Sequence, residues 1–335
     1  MITVDLGSDT VTRPTPEMRR AMAEAEVGDD LAGLDPTVNR LQSLSAALLG
    51  TEAALYVPTG TMANQLAIRA LARPGTEVVC GPRAHVYCYE DAGAARNAGA
   101  QMRPIADWSG LDDALSGPQH HLPEVSLVAI ENTQMAEGGV PVGPDDVAAV
   151  VDVAARRGVP VHCDGARIWN AAVALGVSPR DLTAGCTTVM FCLSKGLGAP
   201  IGSVLCGPHD VIERARSDRH RLGGGWRQAG IMAAAGIVAL ETMVERLADD
   251  HRRARVFAEA LAQRWPGCID PSTVRTNIVC ADSRRMPRDV LERLAEAGVL
   301  GATIDAVTTR FVFHLDIDDA ALDVACAAVG HLPGV

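Results

Sequence analysis

The chain has 335 residues, 48% of them hydrophobic, enough for a large core and for two domains. A formal net charge of −11 with no basic run argues against nucleic acid or an anionic membrane surface as the partner, and no stretch is apolar for long enough to span a bilayer. The nine cysteines lie mostly inside apolar runs with no C-x-x-C, and the opening Met1-Ile-Thr-Val-Asp-Leu has no basic or long apolar segment, so a cytoplasmic protein with reduced thiols and no signal peptide is expected.

In chain order, residues 1–15 read as an extended arm, because Pro14 and Pro16 oppose an earlier helix. A helix starting near Pro16 runs through Met18 and Met22. Gly28 to Thr37 is a loop, after which Val38, Leu41, Leu44, Leu48 and Leu49 recur at helical spacing. Ala53 to Val57 is a short buried strand that meets Pro58-Thr59-Gly60-Thr61 and a helix through Ala72. A strand, a small Gly/Thr turn and a helix N-terminus suit an anion, although an ordinary capped helix would use the same residues.

The alternation continues with a strand at Glu77 to Gly81, a helix at Tyr87 to Asn97, and a strand at Val125 to Asn132. A helix at Asp145 to Arg157 and strands at Val159 to Cys163, Thr187 to Leu193 and Ile201 to Cys206 follow, then helices near Asp210 to Arg219 and Gln228 to Ala248. Such βα alternation implies an α/β fold with a mostly parallel, doubly wound sheet, whose ligands sit beyond the carboxyl ends of the strands. Arg275 to Ala281, Pro287 to Ala297, Thr309 to Leu315 and Asp318 to His331 read as a smaller α+β unit. The expected division is an arm (1–15), a large domain (16–245) and a small C-terminal domain (246–335).

Two strand ends carry distinctive chemistry. The run Thr187 to Leu193 ends in Ser194-Lys195-Gly196-Leu197-Gly198, and Val159 to Cys163 ends in Asp164-Gly165-Ala166-Arg167. A lysine where a buried strand meets a Gly-rich turn suits imine formation, since partial burial lowers its pKa. Paired with an aspartate for a pyridinium nitrogen, it makes the combination that pyridoxal 5′-phosphate (PLP) requires. No H-x-x-x-H or clustered acidic spacing indicates a metal site.

With these residues placed, the sequence resembles the L-threonine aldolase family, PLP enzymes of fold type I (aspartate aminotransferase-like, with a seven-stranded sheet). The resemblance runs nearly end to end through Ser8-Asp9-Thr10-Val11-Thr12-Arg13-Pro14, Pro58 to Asn64, Ala84-His85, Glu131-Asn132-Thr133, Asp164 to Arg167, Leu193 to Gly198 and Gly223-Gly224-Gly225-Trp226-Arg227-Gln228. It implies aldol cleavage of an L-β-hydroxy-α-amino acid to glycine and an aldehyde. Lys195 would bond the cofactor and move protons, and Asp164 would hold the ring nitrogen protonated. Gly60 and Thr61 would bind the phosphate. His85 would stack on the ring and could transfer protons. Arg167 would lie near the ring hydroxyl and the substrate carboxylate, which Arg310 and Ser8 would bind. Arg227 would reach a neighbouring subunit's phosphate, implying at least a homodimer, and by the family's habit a homotetramer, with shared sites.

Departures fall on the substrate side. Gly7 replaces a family Arg, Ala32 and Leu34 replace a Tyr and an acid, and Gln134 replaces the His expected near the β-hydroxyl. Gln can hydrogen-bond a hydroxyl but cannot take its proton at neutral pH. Retained threonine cleavage with tolerated changes, a pocket for a bulkier β-hydroxy amino acid, and another PLP reaction (β-elimination, transaldol transfer, racemisation) are the readings these changes leave open. A non-catalytic PLP-fold protein is opposed by the intact Lys195 and Asp164. A plain nucleotide binder would need a G-x-G-x-x-G or P-loop after a strand, and the sequence has neither.

Overall fold

A computed structural model describes residues 4–117 and 121–334; the first three residues of the expected arm and the last of the small domain lie outside it. In chain order the strands are β1 (Val4–Asp5), β2 (Ala53–Val57), β3 (Glu77–Cys80), β4 (Gln101–Pro104), β5 (Val125–Glu131), β6 (Val161–Asp164), β7 (Thr188–Cys192), β8 (Ser203–Gly207), β9 (Ile278–Asp282), β10 (Val299–Leu300), β11 (Ala302–Asp305) and β12 (Thr308–Val312). The helices are α1 (Pro16–Ala23), α2 (Pro36–Leu49), α3 (Gly60–Leu71), α4 (His85–Cys88), α5 (Leu111–Ala114), α6 (Pro144–Arg156), α7 (Ile168–Leu175), α8 (His209–Arg221), α9 (Gly230–Thr242), α10 (Leu247–Arg264), α11 (Val290–Glu296) and α12 (Asp319–His331).

Seven strands form the main sheet in the order β2-β8-β7-β6-β5-β3-β4. Only β8 runs against the others, so the sheet is mostly parallel. Its central strands are buried on both faces, which explains their near-continuous apolar runs. The carboxyl ends of β2, β3, β5, β6 and β7 therefore open onto one edge. A second core gathers Phe257, Leu261, Val279, Phe311 and Phe313 with Val4 and Leu6, so the N-terminal arm packs with the C-terminal elements. β1 pairs in parallel with β10 there. No helix among the described residues is long and apolar enough to cross a membrane.

Two helical expectations are corrected. The helix expected over 87–97 is a single turn, α4, followed by a bend and a short wide turn over Ala94–Ala98. Asp91 and Ala92 take positive φ angles of 50° and 56°, which no helix accommodates, and Glu90 turns inward instead. The helix expected over 228–248 starts later, at Gly230, and breaks at Met243–Arg246 before α10. The short strands β1, β4, β10 and β11 span two to four residues each, too few for a pattern to stand out, and sequence reasoning did not find them.

Asp35 ties this framework together. Fully buried, it caps α2 by accepting from Thr37 N and Val38 N at 3.1 and 3.0 Å. It also accepts from Gly28 N and Gly230 N at 3.1 and 2.9 Å, joining the 28–35 loop to the start of α9. Removing the carboxylate strands several buried donors at once. Asp35→Ala is expected to destabilise the fold by roughly 2–4 kcal/mol, read as a lowered denaturation midpoint.

Candidate active site

One cavity of about 170 Å³ opens at the carboxyl edge of the sheet, lined by Thr59, Gly60, Thr61, His85, Asp164, Arg167 and Lys195 among others. They gather at strand ends: Thr59 to Thr61 follow β2, His85 opens α4 in the turn after β3, Asp164 ends β6 with Arg167 just beyond it, and Lys195 follows β7. The strand-end pattern placed Thr59 to Thr61, Asp164, Arg167 and Lys195 near that edge, the family resemblance added His85, and the fold brings them to one cavity.

At the floor, Asp164 Oδ1 accepts from Ala166 N at 3.0 Å and Oδ2 accepts from Asn64 Nδ2 at 2.7 Å. Asn64 lies one turn along α3 from Gly60, so one helix supplies both the anion-facing turn and the Asp164 clamp. The Lys195 amine has no hydrogen-bond or ion-pair partner among the described residues, whereas its carbonyl accepts from Thr12 Oγ1 at 3.1 Å. His85 Nδ1 bonds Glu90 Oε1 at 2.9 Å, and its backbone N–H donates to Glu131 Oε2 at 2.8 Å. Burial opposes charge on His85, but the Glu90 hydrogen bond and the charge of Asp164 raise its pKa overall. Ligating atoms of His85, Glu90 and Asp164 lie within 4.8 Å of one another, but those atoms bond one another and Asn64.

At the turn into α3, Thr59 Oγ1 accepts from Met62 N at 3.1 Å and Thr59 O accepts from Ala63 N at 3.1 Å. The N–H groups of Gly60 and Thr61 keep no partner among the described residues. A Cβ on Gly60 would sit 2.8 Å from Cys192 Sγ and 2.9 Å from Met190 Cε, so only glycine fits this approach.

Arg167 is almost fully buried and grips Asp9 through two bonds, Nε to Oδ2 at 2.8 Å and Nη2 to Oδ1 at 2.6 Å. Burial alone would raise the Asp9 pKa, but the guanidinium holds it down at about 2. The ion-pair partner of Arg167 is thus Asp9, from the N-terminal arm, and not its sequence neighbour Asp164. Arg310 donates from Nη2 to Gly7 O at 2.9 Å and from Nη1 to Met135 Sδ at 3.3 Å, and its Nε is buried without a partner. Burial and the nearby Arg167 charge lower its pKa. Ser8 is beside the Gly7 carbonyl that Arg310 holds, although its own hydroxyl accepts from Thr10 N and Oγ1 at 3.3 and 2.9 Å.

Two candidates lie elsewhere. Gln134 faces a separate small cavity with Gly81, Trp108 and Glu137, and Met135 takes the place beside the main cavity. Arg227 is exposed and ion-paired to Asp29 at 2.9 Å, away from its own chain's cavity. Ala32 and Leu34 are exposed, Leu34 at 69%. Sequence reasoning missed Asp9, Asn64 and Glu90 as site residues, though Asp9 and Asn64 stood inside quoted motifs.

These residues fit PLP. The unpartnered lysine amine, the clamped Asp164, the glycine cradle with free N–H groups and the orphaned Arg310 Nε are the groups that a carbonyl, a pyridinium, a phosphate and a carboxylate would satisfy. Glu131, at the end of β5, is half-buried and bonds the backbone N–H groups of His85 and Met135. Burial, then the Asp164 charge, push its carboxyl up to about 7 from 4.5. A carboxyl raised on folding makes the folded state bind more protons between those values, so its contribution to stability falls as pH rises from about 4.5 to 7. Thermal melts of cofactor-free protein across that window are expected to show this slope, and Glu131→Gln is expected to flatten it.

A family model described as β-eliminating lyase matches residues 5–284. "Low-specificity L-threonine aldolase 1" of Arabidopsis thaliana is 38% identical over 331 residues, 95% of this chain and 92% of the relative. The low specificity L-threonine aldolase of Escherichia coli (strain K12) is 43% identical over 267 residues, 78% of this chain and 79% of the relative. A solved structure of Leishmania major threonine aldolase is similar with a TM-score of 0.82 at 16% identity, covering 98% of each chain, a likeness of fold. The family match over most of the chain and the close, nearly full-length relatives agree with the lysine–aspartate cavity: the chain belongs to the L-threonine aldolase family of PLP-dependent lyases.

Proposed function

We propose that this cavity carries out PLP-dependent aldol cleavage of L-threonine and L-allo-threonine to glycine and acetaldehyde. The observation that carries the reading is a single cavity holding an unpartnered Lys195, a clamped Asp164 and His85, with Arg310 beside it. When bound, PLP supplies a carbonyl for amines and a ring that accepts the electron pair of the broken Cα–Cβ bond.

The chain's own residues do the rest. Lys195 would bond the cofactor, and its amine, when free, would be placed to give Cα the proton that completes glycine. Asp164 keeps a proton on the ring nitrogen, steadied by Asn64. Gly60 and Thr61 offer their free N–H groups to the phosphate, where the α3 dipole also favours negative charge. Arg310, with Ser8 and the buried Arg167, fixes the carboxylate and so orients the scissile bond. His85 accepts the β-hydroxyl proton, the part that Gln134 cannot play.

Ala32, Leu34 and Gln134 do not line this chain's own cavity, so that cavity gives no ground for preferring a bulkier substrate. We also assign a cytoplasmic homo-oligomer, dimer or tetramer, in which Arg227 completes a neighbour's phosphate site. Its exposed guanidinium and the nine unpaired cysteines support that assignment.

PLP-loaded protein is expected to release glycine and acetaldehyde in equal amounts from both threonine isomers, and Lys195→Ala to release neither. Arg310→Lys, which loses the planar fork, is expected to raise KM about tenfold or more with a smaller change in kcat. Preference for aryl-serines, or products other than glycine and an aldehyde, would overturn the reading.

A further inference from the structure

Behind His85 lies a carboxylate that the mechanism above does not use. Glu90 follows α4 at the bend where positive φ angles turn the chain, and it is 5% exposed. Three donors converge on it. Oε1 accepts from His85 Nδ1 at 2.9 Å and from Asn64 Nδ2 at 2.8 Å, and Oε2 accepts from Gln65 Nε2 at 2.6 Å. The same Asn64 amide donates to Asp164 Oδ2 at 2.7 Å. Its carbonyl is 3.0 Å from His162 Nε2, and His162 Nδ1 is 2.9 Å from Thr188 Oγ1. Burial holds His162 at a pKa of about 4, so it stays neutral and orients Asn64 without adding charge. Asn64 thus joins the carboxylate behind His85 to the one that faces the cofactor ring.

A carboxylate only accepts hydrogen bonds. The Nδ1 atom of His85 must therefore carry its hydrogen, and Nε2, which has no partner among the described residues, keeps a lone pair. We infer that Glu90 is the positioning residue of the proton acceptor: it locks His85 in the Nδ1–H form with Nε2 open to the substrate, and through Asn64 holds that pair in register with Asp164. The inference rests on the reading of His85 as the acceptor. In the step, the β-hydroxyl O–H bond breaks and its proton goes to Nε2. The O–H electron pair becomes the second bond of the aldehyde carbonyl, and the Cα–Cβ pair passes to the cofactor. Glu90 then faces the imidazolium it has stabilised.

The charged and titratable groups around His85 are few. Glu90 and Asp164 favour its charged form, Lys195 opposes it, Glu131 holds its backbone N–H, and the Tyr89 ring is 5.5 Å away. Removing the Glu90 charge alone should therefore be visible at His85.

Glu90→Gln keeps the side-chain shape and removes the charge. In cofactor-free protein, NMR titration of the His85 ring is expected to show a pKa about one unit lower, with loss of the pure Nδ1–H form. In PLP-loaded protein, kcat for L-threonine is expected to fall about 10- to 100-fold with little change in KM. The acid limb of the pH profile should move to lower pH, and Glu90→Asp should restore part of both effects. In a His85→Asn background the Glu90→Gln change is expected to add nothing. An unmoved His85 pKa, or a full-sized Glu90→Gln effect without His85, overturns the proposal. An unimpaired His85→Asn enzyme overturns the acceptor reading, and with it the functional half of this proposal; a persisting NMR shift in Glu90→Gln would identify the acceptor reading as the part that failed.

Discussion

The site depends on one constraint, the shared direction of the strands in the main sheet. Because β2, β3, β5, β6 and β7 point the same way, every turn at their carboxyl ends opens on one edge. Residues as far apart in sequence as Gly60, His85, Asp164 and Lys195 need no further device to meet. The reversed strand β8 returns the chain after Lys195, placing the lysine turn between β7 and β8 and leaving β2, with its Gly60 turn, on the far side of β8.

A second set of contacts closes the site from above. The arm touches the cavity at three points: Gly7 O receives Arg310, Asp9 grips Arg167, and Thr12 Oγ1 donates to the Lys195 carbonyl. Asn277, which precedes β9, donates to Asp9 at 3.3 Å and to Phe313 O at 2.9 Å, so the C-terminal core holds the same pair. A buried ion pair is costly when either partner is removed. Here it ties Arg167 to the same arm whose Gly7 carbonyl holds Arg310, and Arg310 keeps a buried Nε without a partner.

The sequence made the cofactor side legible because strand-to-turn transitions leave local marks: an apolar run ending in Lys195, another ending in Asp164, a third followed by Gly60 and Thr61. Residues that act through others left no such mark. Glu90 is one acid in a segment whose local pattern suggested a helix over 87–97, and only the tertiary pull of His85, Asn64 and Gln65 turns it inward. Asn64 reads as an ordinary helical polar residue until Asp164 is found against it. Gln134 was a substrate-side candidate on motif position alone, and the loop instead presents Met135 to the cavity. Strands as short as β4 and β11, four residues each, carry too little pattern to be read alone and emerge only from pairing with their neighbours.

The most direct test of the central claim, that Lys195 is the cofactor-bonding lysine of this cavity, is borohydride reduction of PLP-loaded protein followed by peptide mass mapping. One cofactor adduct per chain is expected, located on Lys195 and absent when Asp164→Ala or Gly60→Val has emptied the cavity of PLP. An adduct on another residue, or none from a folded, PLP-treated chain, would contradict it.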